Sequence, residues 1–247
     1  MSSKLTKKIN ITGKLTLLTG LHIGGSSDNV EIGGIDNIVI RTARRVKKSN
    51  GYGIDNQPYI PGSSIKGKMR CLLEQTKGAA ATGNDDDVNA LFGITERKAD
   101  PRENVLAKSN VRSALIVRDA YLDEDSIKLL GESENLSRYT ENKYENSIDR
   151  VKGTASNPRQ TERIPAGASF DVNFIVNVWD DCELNETSLL NLLREGLNAL
   201  ENDYLGGSGS RGYGQIQFSS LKYVELDQSN SWSYDKKKLN EFDRAVK

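Results

Sequence analysis

Apolar and polar residues alternate along three stretches of the chain and recur at helical spacing along two others. In INITGKLTLL, residues 9–18, Ile9, Ile11, Leu15 and Leu17 share one face, with Gly13 the single gap, as a half-buried strand requires. ASFDVNFIVNVW, residues 168–179, alternates Phe170, Val172, Phe174, Val176 and Val178 without a break. Gln215 to Glu225 places Ile216 and Phe218 on one face of a last strand, and VRSALIVRDAY, residues 112–122, is a further strand candidate. In YIPGSSIKGKMRCLLEQTKG, Ile65, Met69, Leu72 and Leu73 fall at i, i+4, i+7 and i+8, one buried helical face, with Ser63 or Ser64 placed to cap it. Glu186 to Asn202 carries Leu189, Leu190, Leu193, Leu197 and Leu200 at the same periodicity. The order is β-α-β-β-α-β. It predicts an α+β fold with a ferredoxin-like, RNA-recognition-type core, two helices covering one face of an antiparallel sheet.

Two long interruptions do not belong to that order. Residues 20–60, rich in glycine and then in basic residues, split the first crossover, and residues 131–167 separate two central strands that a short turn could join. Within the second, residues 138–163 hold six basic and four acidic residues without a continuous apolar face, so a projecting arm is expected rather than a second core. No internal repeat is present, and the NDDD run at Asn84 to Asp87 is the only compositionally biased segment. The whole chain, 1–247, reads as a single domain long enough to bury roughly 70–75% of its unfolded surface.

Composition removes several function classes. Lys plus Arg number 34 against 34 Asp plus Glu, so nucleic acid cannot be bound by bulk charge and any such contact must be local. Cys71 and Cys182 are far apart, lack a CxxC spacing and have only His22 to join them, which speaks against zinc and leaves a disulfide open. No stretch approaches the ~18 apolar residues of a membrane span, and the N-terminus lacks the apolar run of a signal peptide. A soluble, cytoplasmic protein with no membrane partner is expected.

Three local constellations carry chemistry. GGSGSRGYG, Gly206 to Gly214, lets backbone amides of Gly207, Ser208, Gly209 and Ser210 approach an anion beside Arg211, or else is a flexible αβ connection. It follows a helix and precedes a strand, the reverse of a Walker or Rossmann turn. Residues 41–70 carry Arg41, Arg44, Arg45, Lys47, Lys48, Lys66, Lys68 and Arg70 against Asp55 alone, either a polyanion track or a solvated basic face. Lys66 and Arg70 stand at i, i+4 on one helical face. In LHIGGSSDNVEIGGIDNIVIR, Asp36 follows the Gly33-Gly34 pair; it is a turn acid or a presented carboxylate, with Asp28 and Glu31 as competitors, while His22 is a core histidine or a ligand contact.

Taken together, TGLHIGGSSDNVEIGGIDN, YIPGSSIKGKMR, YTENKYENSIDR, NPRQTER and DYLGGSGSRGYG resemble the RAMP superfamily of CRISPR proteins, within it the repeated backbone subunit of type III-A (Csm) effector complexes. The motifs keep that family's order across residues 15–225. The resemblance implies a modified RNA-recognition fold that polymerises along a CRISPR RNA, a thumb-like hairpin over about Tyr139 to Arg163 that kinks the guide–target duplex, and one loop aspartate needed to cut target RNA. That aspartate falls on Asp36 in IGGIDN. His22, Ser63, Lys66 and Arg70 match positions along the guide RNA, and Gly207, Ser208, Gly209, Ser210 and Arg211 match the glycine loop that supports its backbone. Implied partners are CRISPR RNA, target RNA, further copies of this chain and other Csm subunits, including the large polymerase-type subunit. Departures from the family pattern are the basic insertion Ala43 to Gly53 and extra residues at Gln75 to Asn84.

With one histidine in the chain, RNA cleavage most simply uses the substrate's 2′-OH as nucleophile, with Asp36 binding a divalent metal or accepting the proton. An aspartate of ordinary pKa near ~3.9 is a poor base at neutral pH, which favours a metal role, with Mg²⁺ or Mn²⁺ completed by RNA phosphates and water. The alternatives are a scaffold subunit that holds RNA without cutting it, or a ferredoxin-like enzyme that uses the glycine loop for a phosphorylated metabolite.

Overall fold

The computed structural model describes residues 3–25, 37–48, 51–95, 111–234 and 238–245. Ten strands and four helices lie among them: β1 Leu5–Leu17, β2 Arg41–Lys48, β3 Gly51–Ile60, α1 Gly62–Thr76, α2 Asp86–Phe92, β4 Leu115–Val117, β5 Ala120–Leu122, α3 Glu124–Gly131, β6 Glu141–Ile148, β7 Ala155–Arg163, β8 Ser169–Trp179, α4 Glu186–Glu201, β9 Ile216–Asp227 and β10 Asn240–Glu241. The fold is α+β. Eight strands make one sheet in the order β10-β9-β1-β8-β5-β3-β2, with β4 also on β8, and β6 and β7 pair by themselves as a hairpin. All the strand pairings are antiparallel.

The alternation in β1 works as the pattern requires. Ile9, Ile11, Leu15 and Leu17 are buried, facing Phe170, Val172, Phe174 and Val176 of β8 and Ile216 and Phe218 of β9 in one continuous core. Phe174 and Phe218 meet edge to face, centroids 6.0 Å apart. At Gly13, the gap in that alternation, the β1–β9 register shifts between Thr12 and Lys14. Ser220, opposite, has a left-handed φ of +52°, so β9 accommodates an extra residue as a bulge. The apolar stripes of α1 (Ile65, Met69, Leu72, Leu73) and α4 (Leu189, Leu193, Leu197, Leu200) close the same core.

Several sequence expectations are corrected. The candidate strand at 112–122 is two short strands, β4 and β5, broken at Arg118-Asp119. Neither Ser63 nor Ser64 caps α1: Pro61 is the N-cap and makes no side-chain cap bond, while the Gly62 amide donates to Asp119 Oδ1 at 2.8 Å. The helix starts earlier because proline presets the backbone there and Asp119 of the neighbouring loop supplies the acceptor. Helices α2 and α3 have no counterpart in the periodicity, being seven and eight residues long. Each nonetheless opens on an aspartate cap, Asp85 to the Val88 amide and Asp123 to the Ser126 amide, with acids in the first turn. The biased NDDD run is therefore a helix start. The basic stretch of the first interruption is also ordered, as the β2–β3 hairpin that enters the main sheet through Tyr59 and Ile60 against β5.

Candidate functional site

Asp36, with its competitors Asp28 and Glu31, lies outside the described residues, but both ends of its loop are described. Gly24 bridges Val39, the Gly25 amide donates to Ile38 O at 3.0 Å, and the Ile40 amide donates to Ile23 O at 2.8 Å. This ribbon brings residues 23–25 and 38–40 together, so the chain leaves and returns at one place. The same ribbon is tied to the root of the β6–β7 arm: Leu21 and Ile164 exchange backbone hydrogen bonds, and the Glu162 amide donates to Asn37 O at 3.0 Å. Asn37 is the residue after Asp36.

One side chain holds that junction. Glu162 is 6% exposed and sits on β7. Its Oε2 accepts the Val39 amide at 2.7 Å, and its Oε1 lies 2.6 Å from the Thr140 hydroxyl and accepts from Arg41 Nη2 at 2.5 Å. Its backbone carbonyl takes His22 Nδ1 at 2.7 Å. Because a carbonyl only accepts, Nδ1 must carry the hydrogen. Arg41 also donates through Nη1 to Arg138 O at 2.8 Å. Arg138 and Tyr139, where the chain turns into the arm, both have left-handed φ, +47° and +75°, a conformation that costs about 1–2 kcal/mol per non-glycine residue. Arg41 on the Arg138 carbonyl and Asp55 accepting from the Tyr139 hydroxyl hold that turn in place. Burial, and then the Asp55 carboxylate, push the Tyr139 phenol up to about 12.

The glycine loop packs on the other side of His22. Gly206 has φ +78°, and a Cβ there would come 2.4 Å from His22 O; the Gly207 amide donates to that same oxygen at 2.8 Å. Gly209 lies against the Tyr204 ring so closely that a Cβ would sit 2.0 Å from Cγ. Ser208 takes a left-handed φ of +60° and leads the single 3₁₀ turn Gly209–Arg211, whose first bond is Arg211 N–H to Ser208 O. Amides at the start of such a turn have no partner within it. Ser210 and Arg211 are exposed there. Tyr213, buried, sends its hydroxyl to Glu145 Oε1 at 3.3 Å, with Lys143 and Arg163 over its ring, so the glycine loop is also fastened to the arm. Burial raises the Glu145 carboxyl, but hydrogen bonds to Lys143 and Arg159 outweigh it and hold the group below its ordinary range.

The remaining site candidates divide. Ser63 is exposed in the first turn of α1. Lys66 instead turns inward, donating to Ser113 Oγ at 2.7 Å and Leu115 O at 2.8 Å, and burial followed by the charge of Arg70 lowers its pKa. Arg70 spends Nε on Glu74, Nη1 on Gly93 O and Nη2 on Asn89, at 2.7–3.0 Å. These two cations knit α1 to α2 and β4. The structure thus brings His22 and Gly206-Gly207 together at the foot of the Asp36 loop and draws the donors of Lys66 and Arg70 into the protein. Sequence reasoning gave no separate role to Glu162 or Thr140; the NPRQTER motif contained the former without saying what it does. Among the described residues no three His, Cys, Asp or Glu side chains group to hold a metal, Cys71 and Cys182 are free, and no helix is long and apolar enough to cross a membrane.

Comparison with known proteins places this geometry among relatives. The family model described as RAMP superfamily matches residues 14–217. A Streptococcus thermophilus protein named CRISPR system Cms endoribonuclease Csm3 is 41% identical over 239 residues, covering 95% of this chain and 96% of its own length. A protein of the same name from Methanothermobacter thermautotrophicus (strain Delta H) is 37% identical over 230 residues, 90% of this chain and 88% of its own. Among solved structures, a chain of the Csm3–Csm4 subcomplex in the type III-A CRISPR-Cas interference complex superposes with a TM-score of 0.53 and 26% identity, over 97% of this chain and 90% of that one.

Proposed function

The chain belongs to the RAMP superfamily, and from that premise we propose that it is the target-RNA-cleaving backbone subunit of a type III-A CRISPR effector complex, with Asp36 as its catalytic carboxylate. The observation that carries the reading is coverage. This chain spans 96% of the length of a relative named an endoribonuclease, so the machinery behind that name has to reside in the shared domain rather than in an added one. The foot of the Asp36 loop supports the assignment: it is stapled through Glu162 to the root of the arm, one residue from Asp36 itself. A carboxylate presented there meets an RNA strand that the arm holds in place.

The reaction assigned to the site is attack of the 2′-oxygen of the RNA on the adjacent phosphorus, with the 2′ proton leaving to a base and the 5′-oxygen of the next nucleotide departing. The protein contributes orientation, because in-line geometry between nucleophile and leaving group accelerates such displacements by orders of magnitude. His22, locked by the Glu162 carbonyl, serves as a positioning group at the loop foot. A divalent ion, Mg²⁺ or Mn²⁺, is read as a partner of Asp36 completed by the RNA phosphates and water.

In this reading the guide RNA runs past Ser63, His22 and the glycine loop, where the amides of Ser208, Gly209 and Ser210 and the Arg211 guanidinium meet its backbone, while the Gly207 amide is spent on His22 O and holds the loop in place. Lys66 and Arg70 shape the helix that carries Ser63. The antiparallel order β9-β1-β8-β5, with α1 and α4 closing one core, supports a ferredoxin-like centre across a single domain, with residues 20–60 and the thumb-like arm at 131–167 as its insertions. The partners are CRISPR RNA, target RNA, further copies of this chain and other Csm subunits including the large polymerase-type one, in the cytoplasm.

The test assembles complexes with Asp36→Ala, Asp28→Ala or Glu31→Ala and offers each the same labelled target RNA. Cutting is expected to fall at least a hundredfold for Asp36→Ala alone, several kcal/mol of transition-state stabilisation, with target capture unchanged. Chelating divalent ions should reproduce the loss. Loss with Asp28 or Glu31 instead assigns the wrong acid, and normal cutting by all three makes this subunit a scaffold.

A further inference from the structure

The β2–β3 hairpin is where the fold leaves the charge of the basic tract unspent. Strand alternation puts Ala43, Arg45 and Lys47 on one face of β2, beside Asn56, Ile54 and Tyr52 of β3. All six are exposed, while the residues between them on β2 and β3, from Thr42 to Val46 and Gly53 to Asp55, are half-buried. On this face the Arg45 guanidinium lies 3.9 Å from the centroid of the Tyr52 ring, and Tyr52 and Ile54 are 67% and 68% exposed. The hairpin's one carboxylate, Asp55, is on the opposite face, occupied by the Tyr139 hydroxyl. Arg44 is also on that face, over the Tyr121 ring at 4.1 Å. β2 ends the sheet, so no described strand covers its outer side.

Among the described residues the result is a cationic face without a carboxylate, bearing an aromatic ring and an aliphatic side chain, on a chain whose net charge is zero. Concentrating charge of one sign there contributes little to the fold beyond the Arg45–Tyr52 contact, and an exposed ring with a guanidinium laid on it offers a flat platform for another π-system. Arg45 and Lys47, two residues apart on a strand, stand about 6–7 Å apart along it, comparable to successive phosphates of an extended RNA strand.

We infer that this hairpin face binds single-stranded RNA, with Tyr52 stacking on a base and Arg45 and Lys47 meeting the flanking phosphates. The inference rests on the RNA-cleaving reading and adds to it a contact of defined chemistry. It reads no sequence, since every base presents a π-face and the cations see only the backbone.

The experiment titrates labelled, unstructured RNAs of two unrelated sequences with the full chain across a series of salt concentrations. Arg45→Gln with Lys47→Gln is expected to lower the slope of log affinity against log salt by about 0.7 for each lost contact. Tyr52→Ala is expected to weaken both RNAs about tenfold while leaving that slope near wild type, and Tyr52→Phe to retain wild-type affinity because the ring rather than the hydroxyl stacks. Wild-type affinity and slope in all these variants overturn the hairpin contact and leave the cleavage reading standing. So does a loss of subunit association with RNA binding intact, which makes the face a protein interface. If the wild-type chain binds neither RNA, the hairpin contact falls, and the cleavage reading is then judged on its own by the Asp36→Ala complexes.

Discussion

Arg41 and Arg45 stand four residues apart on one strand, at positions of equal parity, and end in opposite environments. Arg41, at the root of β2, runs into a closed knot: Glu162, the Thr140 hydroxyl and the Arg138 carbonyl take its donors, and its side chain is 17% exposed. Arg45, nearer the tip, lies on Tyr52 in solvent. What differs is what the fold places beneath them. At the root the β6–β7 arm crosses and contributes a buried carboxylate; at the tip no described element does. Removing a partner from the knot leaves a charge with little water to solvate it, whereas an exposed pair is screened and contributes little. The root therefore acts through geometry and stability, and the tip through what it offers to a ligand.

The largest expected effect is at the root. Glu162→Ala leaves the Arg41 guanidinium without its carboxylate and the Val39 amide without its acceptor, so unfolding free energy should fall by about 3–5 kcal/mol, read as a shifted urea midpoint. A loss under 1 kcal/mol would dissolve the contrast between root and tip.

Next is the Tyr139 phenol, which locks the left-handed turn into the arm. Its folded pKa of about 12 lies above the ordinary 10, so the folded state keeps a proton that the unfolded state has released. Its contribution is fully present below pH 10 and is lost as pH rises towards 12. Stability should decline by about 1–3 kcal/mol across that window, and Tyr139→Phe should remove much of the decline. Urea unfolding of both proteins at pH 9 and above checks it, and identical pH profiles would mean that the arm's entry is held by Arg41 alone.

The smallest effect belongs to the tip. Arg45→Gln and Lys47→Gln should each change stability by less than about 0.5 kcal/mol in either direction. A larger loss would place these side chains in the structural framework rather than on a ligand-binding face.

Much of the core was legible because burial imposes a period. β1, β8 and α4 coincide with the apolar alternations and stripes read in residues 9–18, 168–179 and 186–202, with differences of a few residues at the ends. The motifs that resemble a known family also include residues that form the β6–β7 hairpin and the 3₁₀ turn at Gly209–Arg211. The elements that escaped are those whose stability is not written as a period. α2 and α3 are too short for a stripe, though their aspartate caps were visible, and β2 and β3 carry charge on a face that no core demands. Lys66 and Arg70 show the limit most plainly. Their i, i+4 spacing correctly put them on one helical face, and nothing local could say that Ser113, Leu115, Asn89 and Gly93 would be waiting beside it. By itself the sequence determined which residues must leave water, where the backbone could bend, and which chemistry-bearing side chains exist. Tertiary structure alone decided which charges found partners, because pairing depends on contacts such as Arg41 with Glu162, 121 residues apart, whose meeting is set by the packing of the whole sheet and arm rather than by any local propensity.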